Sequence, residues 1–154
     1  MTYFDRYNFE LRESLGQYIH FLNQYKDRIL NAHPDMQGIT PAQFKVLLLL
    51  SRSQMLKPSD LCESLQIDSA AITRMLDRLE DKGLIQRERS TVDRRQINIK
   101  LSEEGLNFAK HIPQIAADTL NTLTQMLSKE ETALLHDLMR KILSHGGVLP
   151  QKND

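Results

Sequence analysis

The most informative segment of the chain is Ser90-Thr-Val-Asp-Arg-Arg-Gln-Ile-Asn-Ile-Lys-Leu-Ser-Glu-Glu-Gly105. From residue 96 to residue 101 polar and apolar side chains alternate, and this period of two predicts a strand with one buried face and one solvent-exposed face. The apolar residues of this strand, which we expect to be buried, are Ile97, Ile99 and Leu101. Asp93-Arg94-Arg95 stands where the strand turns back on an earlier one, and Ser102 is a good cap for a following helix. The stretch therefore predicts a charged hairpin followed by a helix.

The residues before the hairpin predict a helix-turn-helix. Pro58 is placed to open a first helix, and Gln66-Ile67 is placed to form the turn. Asp68 caps a second helix, which Gly83 ends. The apolar stripe of this second helix consists of Ile72, Met75, Leu76 and Leu79. A recognition helix followed by a basic hairpin is typical of winged helix-turn-helix DNA binders.

Amphipathic helices flank this middle region. Apolar residues at spacings of three and four predict a first helix over roughly residues 7 to 32, which residues 33 to 38 break. Thr40-Pro41-Ala42-Gln43 has the cap, proline and capping-box glutamine of a helix start. After Ser102, an apolar face from residue 106 to residue 127 predicts a helix that Pro113 kinks. Ser128 and Glu131 form a capping box for a final helix, which Gly146-Gly147 ends.

The apolar stripes of these flanking helices predict self-association. A monomer of 154 residues is too small to cover all of them, so the economical arrangement is a twofold dimer with interdigitated terminal helices. The alternative is a single-chain helical bundle that uses the same stripes. We expect a mainly α fold with a small β-wing, in which residues 1–35 and 104–154 form a helical dimerisation region and residues 36–103 form the winged helix-turn-helix.

Composition, charge and motifs favour a protein without membrane spans that could bind nucleic acid, and they argue against an enzyme. The formal net charge is zero, but residues 69 to 100 hold eight basic and five acidic side chains. This local excess of positive charge could bind the phosphates of nucleic acid. The longest apolar run, Val46 to Leu50, is too short to span a bilayer, and no secretion signal opens the chain, so we expect a cytoplasmic protein. No phosphate-binding glycine loop or Gly-x-Ser-x-Gly motif is present, so the sequence argues against an enzyme and against a cofactor.

With these motifs identified, the chain resembles the MarR family (multiple antibiotic resistance regulators) of bacterial transcription factors. The specific part is Asp93-Arg94-Arg95 followed after five residues by Leu101-Ser102 and, two residues later, by Gly105. Ile72-Thr73-Arg74 and the run from Leu79-Glu80 to Gly83-Leu84-Ile85 are also typical of the family. The resemblance covers about residues 11 to 143. It implies a triangular homodimer that represses transcription at pseudo-palindromic promoter sites and leaves DNA when it binds a small aromatic or lipophilic anion, or when a cysteine is oxidised.

Candidate DNA contacts follow from the position of each side chain. The recognition helix presents its early residues to the major groove, and here these are Ser69, Ala70, Thr73 and Arg74, with Arg78 one turn further on. We expect Arg74 to bind guanine, Ala70 and the Thr73 methyl group to contact thymine, and Arg78 to meet phosphate. The alternative for Arg78 is an ion pair with Asp77, Glu80 or Asp81.

The hairpin tip and a helix start supply further candidates. Arg94 or Arg95 is expected in the minor groove, where a narrow A·T-rich groove attracts a guanidinium. The family pattern implies that Asp93 pairs with the arginine of the wing, and a solvated hairpin remains the alternative. Lys57 and Ser59 lie at the start of the first helix of the helix-turn-helix, where backbone amides favour phosphate. The alternative for Ser59 is a hydrogen bond within the first helical turn.

The effector site is less defined by the sequence. The family's pocket lies between the dimer helices and the DNA lobe, and ordinary core packing of these residues is the alternative. The candidate residues are Tyr18, His20, Phe21, Tyr25, Phe44, Leu48 and Arg52, with His20 or Arg52 placed to meet a carboxylate.

Cysteine and histidine residues raise two further functions. A redox-responsive regulator would use Cys62, the single cysteine, although its acidic neighbours Asp60 and Glu63 disfavour a thiolate. Zinc sensing would use the five histidines, but their spacing gives no metal-ligand motif. The competing class is a winged-helix protein–protein adaptor that does not bind DNA.

Overall fold

A computed structural model of the chain describes residue 10 and residues 14–89 and 96–148, which form a mainly helical structure with a two-stranded sheet. The helices are α1 (Leu15–Ala32), α2 (Pro41–Arg52), α3 (Pro58–Leu65), α4 (Ser69–Asp81), α5 (Glu103–Ala109), α6 (Ile112–Thr124) and α7 (Lys129–His145), and the strands are β1 (Ile85–Arg89) and β2 (Ile97–Leu101). The predictions for Asp93, Arg94 and Arg95 lie outside the described residues. The order of elements is that of a winged helix-turn-helix with helical extensions at both ends.

The predicted capping boxes are confirmed. The Thr40 hydroxyl accepts from the Gln43 amide at 3.3 Å, and the Gln43 side chain accepts from the Thr40 amide at 3.0 Å. Ser128 and Glu131 exchange the same two bonds at the start of α7, at 3.1 and 2.8 Å. Each exchange satisfies two backbone donors at the helix start that lack an intrahelical partner.

The first helix is shorter than the sequence suggests. It begins at Leu15, because Ser14 has an extended backbone and its hydroxyl accepts from the Gln17 amide at 3.2 Å. The prediction of a start near residue 7 was wrong, since helical spacing of apolar residues does not show where a side chain caps the helix. The predicted end is confirmed at Ala32, before a short 3-10 helix at Pro34–Met36.

Pro113 does not kink a continuous helix as predicted. The chain ends α5 at Ala109 and starts α6 at Ile112, so Pro113 lies in the first turn of a new helix. Proline has no amide hydrogen to donate to the carbonyl of Ala109, whereas in a first turn that donor has no intrahelical partner to lose.

The strands β1 and β2 pair in antiparallel register, from Ile85 opposite Leu101 to Arg89 opposite Ile97. Leu56, in the segment before α3, adds two backbone hydrogen bonds to Ile99, of 3.0 and 2.7 Å. Ile99 is fully buried and Leu101 is 9% exposed, as expected, but Ile97 is 45% exposed. The prediction for Ile97 was wrong because it lies at the end of the sheet that leads toward the hairpin tip, beyond the core.

One close approach fixes the base of the wing against the end of the recognition helix. The Ser102 hydroxyl donates to the Gly83 carbonyl at 2.5 Å, and the Ser102 amide donates to the Leu84 carbonyl at 3.1 Å. The same hydroxyl accepts from the Gly105 amide at 3.0 Å, which caps α5. A β-carbon on Gly105 would lie 1.9 Å from the Leu84 carbonyl oxygen, so only glycine fits there.

The hydrophobic core leaves the apolar faces of α1 and α7 largely uncovered. Buried apolar side chains come from the end of α1, from α2, α3 and α4, from the sheet, and from α5 and α6, with fully buried examples at Leu47, Leu61, Ile72 and Ile115. By contrast, α7 buries no side chain. Exposed large apolar residues are Leu15, Tyr18, Ile19, Phe21, Leu22 and Tyr25 on α1 and Leu134, Leu135, Leu138, Met139 and Ile142 on α7. Across the described ranges, no helix combines the length and apolar character needed to cross a bilayer.

Candidate nucleic-acid interface

The recognition helix α4 has one buried face and one exposed face. Asp68 fixes its start, since its carboxylate accepts from the Ala71 amide at 2.9 Å. Ile72, Leu76 and Leu79 face the core with at most 2% exposure. The exposed residues of α4 are Ser69, Ala70, Thr73, Arg74, Asp77, Arg78 and Asp81. The five residues predicted to contact DNA on this helix therefore share one exposed face.

Thr73 has part of its hydrogen-bonding capacity used within α4. Its hydroxyl donates to the Ser69 carbonyl at 2.8 Å. The hydroxyl hydrogen is therefore occupied, and the methyl group is what Thr73 offers to a thymine methyl.

Arg74 and Arg78 have no ion pair within the described ranges. The alternative that Arg78 pairs with a neighbouring carboxylate is wrong for the described residues. Two of the three carboxylates considered for it, Asp77 and Glu80, form ion pairs with Arg87 of β1 instead. Its Nη2 lies 2.5 Å from Asp77 Oδ1 and its Nη1 lies 2.5 Å from Glu80 Oε2.

The role of Arg87 was missed in the sequence. Asp77 and Glu80 are three residues apart, which puts both carboxylates on one side of α4 and signals a cation between them. The contact joins residues ten and seven positions apart on a helix and a strand, so the sequence does not reveal which basic residue supplies the cation.

The start of α3 presents the two predicted phosphate contacts to solvent. Lys57 and Ser59 are both exposed. Asp60 accepts from the Lys57 amide at 2.8 Å and lies 3.4 Å from the Ser59 hydroxyl. The Asp60 carboxylate therefore already occupies part of the positive end of this helix, and Lys57 is the stronger candidate for a phosphate.

The described base of the wing carries its own cross-strand ion pair. Lys100 Nζ of β2 lies 2.6 Å from Glu88 Oε2 of β1. Both side chains are more than one third exposed, so the pair adds little to stability.

The single chain does not bring the seven candidate effector residues into one pocket. Phe44 is 4% exposed and packs edge-on against Phe108, with ring centroids 6.5 Å apart, so it belongs to the core. Leu48 and Arg52 line a groove of about 870 Å³ between α2 and the α5–α6 segment. The remaining four lie on α1, where Phe21 and Tyr25 line a second groove of about 400 Å³ and Tyr18 and His20 are exposed.

The side chains suited to redox or metal chemistry lie apart from this surface. Cys62 is half-buried and packs against the core from α3. His33 Nε2 lies 3.4 Å from Asp118 Oδ2, which joins the end of α1 to α6. Within residues 14–89 and 96–148, no three His, Cys, Asp or Glu side chains form a group that could hold a metal ion.

Comparison with known proteins gives one consistent family. A family model described as MarR matches residues 39–97. The multiple antibiotic resistance protein MarR of Escherichia coli K12 is 38% identical over 130 residues, which is 84% of this chain and 90% of that protein. The transcriptional repressor MdtR of Bacillus subtilis 168 is 45% identical over 71 residues, which is 46% of each chain.

Solved structures agree with the sequence comparison. The reduced form of MarR from E. coli superposes with a TM-score of 0.79 at 38% identity, over 84% of this chain and 96% of that one. A cysteine-to-serine variant of MarR from E. coli in complex with operator DNA superposes with a TM-score of 0.77 at 37% identity, over 88% of this chain and 99% of that one. The match extends through both the helix-turn-helix and the flanking helices. This chain therefore belongs to the MarR family of transcription regulators.

Proposed function

We propose that this chain is a sequence-specific DNA-binding transcription regulator that represses its targets and reads DNA with the exposed face of α4. The observation that carries the proposal is that Arg74 and Arg78 stand on that face without an ion pair among the described residues. The operator complex of a MarR variant with 37% identity supports it. Members of this family are transcription regulators and not enzymes.

The contacts divide by the chemistry of each side chain. Arg74 presents two donors to guanine, and Ala70 and the Thr73 methyl group contact thymine. Ser69 stands with them on the same exposed face. The phosphate contacts are Arg78, Lys57 and Ser59, and the minor-groove contact is Arg94 or Arg95, ordered by Asp93.

The functional unit is a homodimer. The large apolar side chains that α1 and α7 expose in one chain are more than solvent-facing helices normally carry, and a second copy covers them. In this division residues 1–35 and 104–154 hold the dimer together and residues 36–103 bind DNA.

The effector is a small aromatic or lipophilic anion. Support comes from the groove of about 870 Å³, where Leu48 and Leu106 supply apolar surface and the positive charges of Arg52 and Lys110 outnumber the one carboxylate, of Glu103. The protein acts in the cytoplasm, where its DNA targets are. A redox response through Cys62 is the competing form of regulation.

Selection of bound sequences from a random duplex library, with purified protein at physiological salt, tests the proposal. We expect an inverted repeat whose half-sites lie about one helical turn apart. We also expect affinity to fall as salt rises, with a slope in log–log form of about −0.9 per phosphate contacted. Recovery of nothing above background would favour a winged-helix adaptor that binds protein.

A further inference from the structure

The ion pairs of Arg87 hold together the two elements that present the DNA-binding surface. Arg87 lies in β1 at the base of the wing, and its two terminal nitrogens bind Asp77 and Glu80 on the flank of the recognition helix α4. Its side chain is 28% exposed, less than either carboxylate. The guanidinium is thus partly enclosed between strand and helix.

We propose that Arg87 is a positioning residue for DNA recognition, which sequesters the carboxylates of Asp77 and Glu80 and so leaves Arg74 free to read a base. The inference rests on the DNA binding proposed above. Arg87 itself makes no base contact in this scheme.

Helical geometry shows why the sequestration matters. Asp77 follows Arg74 by three residues, and side chains at that spacing are neighbours on a helix surface. If Arg87 were absent, the Asp77 carboxylate would be within reach of the Arg74 guanidinium and would compete with guanine for its donors. Two uncompensated carboxylates beside the phosphate backbone would also repel it over a screening length of about 8 Å.

The fork of the guanidinium suits this role better than an ammonium group. Nη1 and Nη2 reach two different carboxylates at once, whereas a lysine offers one compact charge. The matched control is the Lys100–Glu88 pair, an ion pair that joins β2 to β1 rather than to α4.

The test separates base reading from overall charge. The probes are the duplex that the wild type selects and a scrambled duplex of the same length and composition. The readout is the specificity ratio, which is the Kd for the scrambled duplex divided by the Kd for the selected duplex. Arg87→Gln is expected to lower this ratio about tenfold, because Asp77 captures Arg74. Lys100→Gln removes the same charge and is expected to leave the ratio within twofold of wild type.

Removal of the carboxylates provides the rescue. The triple variant Asp77→Asn/Glu80→Gln/Arg87→Gln has no carboxylate left to sequester, so its ratio is expected to return to within threefold of wild type. Arg87→Lys keeps the charge and is expected to fall between wild type and Arg87→Gln. Melting curves establish that each variant is folded.

The outcomes are distinct. If Arg87→Gln keeps the wild-type ratio, or if the triple variant fails to recover it, the inference is overturned while DNA binding stands. If the wild type itself does not distinguish the two duplexes, the proposed function fails first. If Arg87→Gln does not fold, a triple variant that folds but lacks the wild-type ratio would overturn the inference.

Discussion

Gly105 has the closest surroundings of the six glycines. A methyl group there would meet the Leu84 carbonyl oxygen at 1.9 Å and the Leu101 side chain at 3.3 Å. Gly105→Ala is therefore expected to destabilise the fold by about 1–3 kcal/mol or more, because backbone must move to admit the added carbon. For a chain of this size, each kcal/mol lowers the Tm by about 2–4 °C.

Gly16→Ala is the matched control for that melting experiment. Gly16 lies in α1, and apart from the backbone of its own helix turn and its chain neighbours nothing would lie within 4 Å of an added β-carbon. Its Tm is expected to stay at the wild-type value or to rise slightly, because alanine restricts the unfolded chain. Both variants are melted at the same protein concentration, since dimer stability depends on it. Equal Tm values for the two variants would contradict the close packing at Gly105.

Arg74 and Arg78 lie on the same face of α4, but their substitution is expected to change DNA binding in different ways. Arg74→Ala should relax the preference at one base position per half-site by about 1–3 kcal/mol, because a bidentate pair with guanine is removed. Arg78→Ala should weaken binding to all sequences alike and reduce the salt slope by about 1 for each phosphate that the arginine no longer neutralises. Repeated duplex selection and salt titrations measure both effects.

Arg140→Ala is the control for these substitutions, because it removes the same side chain from α7, away from the recognition helix. It should behave like the wild type in both assays. If Arg74→Ala and Arg78→Ala also recover the wild-type sequence preference with an unchanged salt slope, the assignment of contacts on α4 is wrong.

Pro113 distinguishes the start of a new helix from a kink within one helix. It lies in the first turn of α6, where it limits the unfolded chain and breaks no helical hydrogen bond. Pro113→Ala is therefore expected to lower the free energy of unfolding by about 0.4–1 kcal/mol, measured by urea denaturation. If α5 and α6 were one kinked helix, the same change would restore a hydrogen bond and stabilise the protein.

Local sequence patterns predicted most of the helices and strands, whereas the contacts between these elements could not be predicted from the sequence. Caps such as Thr40 with Gln43 depend on residues three positions apart, so the sequence displays both partners at once. The pairing of Arg87 with Asp77 and Glu80, and of Leu56 with Ile99, joins segments whose approach only the folded chain defines.

The same limit applies to the candidate site. Periodicity placed the exposed face of α4 correctly, because a buried stripe determines its opposite face. It could not show that Phe44 packs on Phe108 in the core while Leu48 and Arg52 line a groove. Spacing along a helix assigns a side of the helix but not what packs against that side.

The proposed dimer determines whether two recognition helices can meet two half-sites. The apolar face of α7 includes Leu138, 50% exposed, and Ile142, 63% exposed in the single chain. Leu138→Glu combined with Ile142→Glu places two charges where the second copy is proposed to pack, and an unpaired charge is costly to bury. We expect a species near the 17.8 kDa mass of one chain in light scattering, where the wild type has twice that mass.

His136→Glu is the control, because His136 lies on the opposite side of α7 and its side chain is 77% exposed. It should remain dimeric. The double variant should keep a cooperative melt from the winged helix-turn-helix core, which does not include α7, yet should bind the selected inverted repeat at least tenfold more weakly, since each half-site must then be occupied separately. A double variant that stays dimeric and binds DNA as the wild type does would place the interface elsewhere on the chain.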